Sequence, residues 1–112
     1  MPRPASGTAD AAPDVFTAIA HPVRRALLDR LVAGDQPVNR LAEGFAMSRP
    51  AISQHLRVLR EAGLVAERRS GREHRYRLQP ERLEEVRDWL RQYEGFWQGN
   101  LDALDDFLAG EP

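Results

Sequence analysis

Hydroxyl, amide and guanidinium side chains recur between Ser48 and Arg57 in a pattern suited to bonding nucleic acid. At helical spacing Arg49, Pro50, Ser53, Gln54 and Arg57 fall on one face, opposite Ile52, Leu56 and Leu59. Arginine can bridge O6 and N7 of guanine, and glutamine can pair with N6 and N7 of adenine. Serine and arginine also hold phosphate oxygens, which fix position without reading sequence. A solvated helix face with no DNA partner has a similar composition, so the pattern gains meaning only from its neighbours. The nearest neighbour is a second cationic group: Arg68, Arg69, Arg72, Arg75 and Arg77 lie within ten residues, with Arg72 at a turn marked by Ser70–Gly71. Such a cluster suits phosphates or the enhanced negative potential of a narrow minor groove. The alternative, arginines that keep an edge strand soluble, weighs as much as function for Arg75 and Arg77.

The elements that must position these residues follow from caps, breakers and periodicity. Asp14 can cap a short helix containing Val15, Phe16, Ile19 and Ala20. His21–Pro22 breaks the chain, and Pro22 suits the first turn of a new helix carrying Val23, Ala26, Leu27, Leu28, Leu31 and Val32. Arg24, Arg25, Asp29 and Arg30 fill its wet face, and Gly34 ends it. Val38, Leu41, Ala42 and Phe45 form the stripe of a short helix, Ser48 caps the next with Pro50 in its first turn, and Gly63 stops it. Two short helices about three residues apart make a helix-turn-helix. His74, Tyr76 and Leu78 alternate with Glu73, Arg75 and Arg77, so a hairpin follows and Gln79–Pro80 closes it. A hairpin directly after a helix-turn-helix is the wing of a winged helix.

From Glu81 to Ala109 the period is helical again: Leu83, Val86, Leu90, Tyr93, Trp97, Leu101, Leu104 and Leu108 form a seam, widened by Trp89, Phe96 and Phe107. An unbroken helix of that length spans roughly 40 Å. Gly95 and Gly99 mark a bend or a close approach by another helix. The expected organisation is a disordered tail, residues 1–13, a winged helix-turn-helix body, residues 14–80, and a long C-terminal helix, residues 81–109, in one domain. The fold class is mainly α, about five helices, with a small β-hairpin wing.

The chain has 112 residues, 42 % apolar and 29 % charged, an ordinary globular balance. It has no cysteine, which removes disulfides, thiolate metal sites and cysteine nucleophiles. No apolar run approaches the roughly 18 residues that span a bilayer, and the first residues lack a signal-peptide stretch, so a cytoplasmic protein without membrane contact is expected. Net charge is −1, but residues 21–77 carry twelve arginines against six acids, and residues 81–112 three against nine. All sixteen basic residues are arginine. A body of +6 joined to a tail of −6 puts the polyanion partner on the body. No nucleophile–base pair, phosphate-binding glycine loop or metal-ligand cluster is present, so no enzyme and no cofactor are expected.

LAEGFAMSRPAISQHLRVLREAGLV followed by RRSGREHRYRL resembles the ArsR-type family of dimeric winged-helix repressors, and AIAHPVRRALLDRLVAG is similar to the helix before its helix-turn-helix. The likeness covers residues 15–108, with Ser48, Ser53, His55 and Leu56 among its more specific residues. It implies a sequence-specific repressor of double-stranded DNA, with Ser48, Arg49, Pro50, Ser53, Gln54, His55 and Arg57 on the recognition helix and Arg68, Arg69, Arg72 and Arg75 on the wing. His55 resembles the family's recognition-helix histidine, which supports the fold or touches phosphate. The likeness also implies a homodimer held by the first and last helices, through Phe16, Ile19, Leu83, Val86, Leu90, Tyr93, Trp97, Leu101 and Leu104. The family's metal sites use cysteines in the first helix of the motif, or histidines and carboxylates on the last helix. Val38 to Phe45 holds neither cysteine nor histidine, the last helix holds no histidine, and Glu94, Asp102, Asp105 and Asp106 read as a solvated acidic face. No metal site and no metal sensing are therefore expected. Trp89, Tyr93, Phe96 and Trp97 read as dimer core, with a small apolar inducer lodged among them as the alternative. A winged-helix module that binds protein instead of DNA is the second functional class; it would need an apolar patch on the recognition helix or wing.

Overall fold

The computed structural model describes residues 13–109, and of residues 100–105 the backbone only. The tail expected at residues 1–13 lies outside the described residues, apart from Pro13. Helix α1 (Val15–Ile19) begins at Asp14, whose carboxylate accepts from the Thr17 N–H at 2.7 Å. That bond holds the Asp14 carboxyl below its ordinary pKa. Helix α2 (Pro22–Leu31) begins at His21, whose Nδ1 accepts from the Val23 N–H at 3.1 Å. Gly34, at φ +147°, takes the chain away from it.

Helix α4 (Arg49–Glu61) starts where Ser48 Oγ accepts from the Ala51 N–H at 3.2 Å. It ends where Gly63, at φ +81°, lets the Leu64 N–H reach Leu59 O and its own N–H reach Arg60 O, each at 2.9 Å. Between the two ends Ile52, Leu56 and Leu59 are wholly buried against Val15, Leu27, Leu41 and Leu64. Burying each such side chain stabilises the fold by about 1.5–3 kcal/mol, so the face opposite them is fixed in direction.

Helix α3 (Val38–Ala42) is shorter than its apolar stripe suggests. Gly44 takes φ +85°, so Phe45 lies in the connection rather than on the helix, and six residues separate α3 from α4. The positive-φ glycine of the connection is thus Gly44.

The hairpin pairs β2 (Val65–Ser70) with β3 (Glu73–Leu78), Ser70 opposite Glu73. Gly71 at φ +65° leads the two-residue turn and Arg72 follows with negative φ, the pattern of a type II′ turn. A third strand, β1 (Gln36–Pro37), pairs antiparallel with β3 on its other edge, which the sequence did not announce. It is two residues long, and Pro37, lacking an N–H, suits an edge position.

The expected single C-terminal helix is three elements: a 3₁₀ turn (Pro80–Leu83), α5 (Glu84–Arg91) and α6 (Glu94–Ala109). The described residues thus hold six α-helices, in keeping with the mainly α fold expected. The break falls at Gln92–Tyr93, where the Tyr93 N–H reaches Leu90 O at 2.9 Å and the Gln92 amide donates to Trp89 O at 3.0 Å. Gly95 and Gly99 are inside α6, and a methyl group at either would meet no other atom. Neither marks the break, and neither has another element packed against it among the described residues.

Candidate nucleic-acid interface

The register of the hairpin sorts its arginines. Glu67 is opposite Tyr76 and Arg69 opposite His74, on the face turned to α4. Arg68 is opposite Arg75 and Ala66 opposite Arg77, on the outer face. Arg75 donates to Glu73 at 3.1 Å and to Asp35 O at 3.3 Å, and Arg77 lies 3.6 Å from the Asp35 carboxylate. The side chains of the strand-body arginines are therefore tied to the protein, whereas those of Arg68, Arg69 and Arg72 make no hydrogen bond or ion pair among the described residues.

Between α4 and the inner wing face lies a groove of about 530 Å³ lined by Arg49, Pro50, Ser53, Gln54, Arg57 and Arg60 from the helix and Glu67, His74 and Tyr76 from the wing. Arg49, Pro50, Ser53, Gln54 and Arg57 are exposed. Arg57 also pairs with Glu61 one turn on, at 3.0 Å, a surface bond of about 0–1 kcal/mol that a phosphate can replace. Ser48 stands at the helix start with its hydroxyl engaged as cap.

His55 turns away from this groove. Its Nδ1 accepts from Arg24 at 3.1 Å and its ring lies 4.4 Å from that of His21. Burial, then the charges of His21 and Arg24, hold its pKa below the ordinary value of 6.5.

The wet face assigned to α2 is also reassigned. Arg24 donates to Ala18 O at 2.8 Å and Thr17 O at 3.2 Å, and Arg25 to Ile19 O at 2.7 Å. Arg30 donates to Leu41 O at 2.9 Å and to Glu43 O, with its guanidinium 4.3 Å over the Phe45 ring. These carbonyls belong to the ends of α1 and α3, where helices leave acceptors without partners. Part of the +6 body thus closes the fold instead of facing outward.

Sequence reasoning left out Arg40, exposed on α3, whose side chain makes no hydrogen bond or ion pair among the described residues. It also left out Arg60, whose place three turns along the polar face from Arg49 gave no sign of a wing partner.

On the opposite side, Phe16 meets Trp89 edge-on at 5.7 Å and Trp89 meets Tyr93 at 5.3 Å. Phe16, Trp89, Tyr93, Phe96 and Trp97 stay exposed, Phe96 by 79 %. Ile19, Leu83 and Val86, expected at a dimer interface, are partly buried on the chain's own core, and Leu90 is half-buried. The side chains of Leu101 and Leu104 lie outside the described residues. Among the described residues no three of His, Cys, Asp and Glu gather as metal ligands, and no helix is long and apolar enough to cross a membrane.

A helix-turn-helix domain model matches residues 19–68. The HTH-type transcriptional regulator Rv2034 of Mycobacterium tuberculosis is 40 % identical over 96 residues, covering 86 % of this chain and 87 % of that protein. The transcriptional repressor SdpR of Bacillus subtilis is 38 % identical over 77 residues, covering 69 % of this chain and 86 % of that protein. A crystal structure of an ArsR family transcriptional regulator superposes with a TM-score of 0.67 at 32 % identity, covering 74 % of this chain and 91 % of the other. A winged helix with an exposed polar recognition face, and relatives of this identity and coverage, make the chain a member of the ArsR family of DNA-binding transcriptional regulators.

Proposed function

We propose that the chain is a homodimeric, cytoplasmic repressor that binds an imperfectly palindromic operator and does not sense metal. The observation that carries this is the exposed row Arg49, Ser53, Gln54 and Arg57, backed by buried Ile52, Leu56 and Leu59 and continued by the unpartnered wing arginines. Arg49 and Gln54 read base edges in the major groove, while Ser53 and Arg57 hold phosphates. Arg72 at the hairpin tip, with Arg69 and Arg68 behind it, follows the adjacent minor groove or its phosphates. The uncovered aromatics of α1, α5 and α6 supply the subunit contact, and a two-fold axis sets recognition helices about 34 Å apart. SdpR's name as a repressor supports negative regulation, and the lack of cysteine supports independence from metal. The aromatics serve as subunit contact, so no inducer site is assigned to them.

The test is enrichment of duplexes from a randomised pool by the full chain, followed by Arg49→Ala and Gln54→Ala against the enriched and a scrambled duplex. Loss of discrimination by about 1–3 kcal/mol per residue is expected. A chain that retains no duplex at low salt but captures a protein from nuclease-treated lysate overturns it.

A further inference from the structure

We propose that Arg60, Glu67 and His74 form a clasp that sets the angle of the wing against the recognition helix, making Glu67 a positioning residue for DNA recognition. The inference rests on the DNA-binding function proposed above. Arg60, in the last turn of α4, donates to Glu67 Oε1 at 2.7 Å; it is the one side-chain hydrogen bond among the described residues that joins α4 to the wing. The other carboxylate oxygen, Oε2, lies 2.5 Å from Nδ1 of His74 on the paired strand. One acid thus ties the recognition helix to both strands of the hairpin.

On charge alone Glu67 works against the site. It is an acid lining a groove of Arg49, Arg57 and Arg60, and its side chain is 23 % exposed. Facing a polyanion, a lone carboxylate there weakens binding. Its bonds to His74 and Arg60 hold its pKa below the ordinary carboxylate value, so it stays ionised and keeps the clasp closed. What the acid provides is geometry. Three residues separate Glu67 from the end of β2, a lever of about 10 Å before the turn that carries Arg72. A hairpin alone is marginal in water, and tilting it by about ten degrees at Glu67 moves the tip by about 2 Å. That displacement is enough to lose a hydrogen bond to a phosphate.

Electrostatics and the clasp predict opposite signs for one substitution. Glu67→Ala makes the body more cationic and frees Arg60. A purely electrostatic role predicts tighter binding to any duplex and a steeper salt dependence. The clasp predicts that binding to the duplex enriched by the wild-type chain weakens by on the order of tenfold. Binding to a scrambled duplex holds or rises, so discrimination falls while the thermal midpoint moves little. Glu67→Gln, which can still accept from Arg60, falls between wild type and Glu67→Ala and carries the same test should the alanine variant not fold. In Arg60→Ala the further change Glu67→Ala removes little more, because the tie is already open. A Glu67→Ala chain that holds or gains affinity for the enriched duplex overturns the clasp alone. A wild-type chain that enriches no duplex overturns the DNA-binding function beneath it, and the clasp with it.

Discussion

In the body most large aliphatic side chains are covered and several guanidinium groups lack a partner; along α5 and α6 the guanidinium groups are paired and several large apolar side chains are bare. Ile52, Leu56 and Leu59 are wholly buried, while the guanidinium groups of Arg40, Arg49, Arg68, Arg69 and Arg72 have no acid or carbonyl partner among the described residues. Arg82, Arg87 and Arg91 of the C-terminal region all lie within 4.0 Å of acids one to three residues away, Glu85, Glu84 and Asp88. Yet Trp89, Phe96, Phe107 and Leu108 are 47–79 % exposed. A surface whose charges are matched and whose aromatics are bare favours another apolar surface; one with unmatched guanidinium groups favours phosphates. Under the function proposed above, the two regions divide recognition of self and of DNA between them.

The contrast is sharpest when the same kind of side chain is removed from each region. Leu56→Ala opens a cavity under the recognition helix and costs about 2–5 kcal/mol of stability, read by denaturant unfolding and independent of protein concentration. Trp89→Ala combined with Trp97→Ala leaves the unfolding of a single chain little changed. It weakens self-association on the order of a hundredfold, read by sedimentation. Unchanged association would break the division. Next in size is the pair Arg72→Ala and Arg87→Ala. Loss of Arg72 weakens binding to every duplex and lowers the salt slope by about 1, whereas loss of Arg87 changes neither.

The smallest expected effect is on pH. His55 in the folded chain resists the proton that the unfolded chain accepts, so its contribution is complete above the ordinary value of 6.5 and is lost as the pH falls through its lower folded value. The thermal midpoint therefore declines on acidification across that range, and His55→Asn flattens the decline. A decline that persists in the variant assigns it to another group.

What could be read from the sequence was what local chemistry decides. The Asp14 and Ser48 caps, the break at Pro22, the stop at Gly63 and the buried row of α4 depend on residues within one or two turns, and all are in place. The recognition face followed, because burying Ile52, Leu56 and Leu59 leaves Arg49, Ser53 and Gln54 outside. Illegible were pairings across long stretches of chain. The bond from Arg24 to His55 spans 31 residues, and Arg75 reaches Asp35 O across 40. Strand β1 exists because β3 offers it an edge. The break at Gln92–Tyr93 gave no signal because both residues are compatible with a helix, whereas the glycines that drew notice are accommodated inside α6.

The arginines that close α1 and α3 onto α2 have a consequence for the purified protein in concentrated salt. Their bonds to backbone carbonyls are short, directional contacts within one chain, over which a counterion atmosphere has little hold. The hold on a phosphate backbone is of the other kind, since each cation released from the duplex adds to the salt dependence. Raising ionic strength should therefore strip the nucleic acid away and leave the fold standing, so that release and unfolding occur in separate windows.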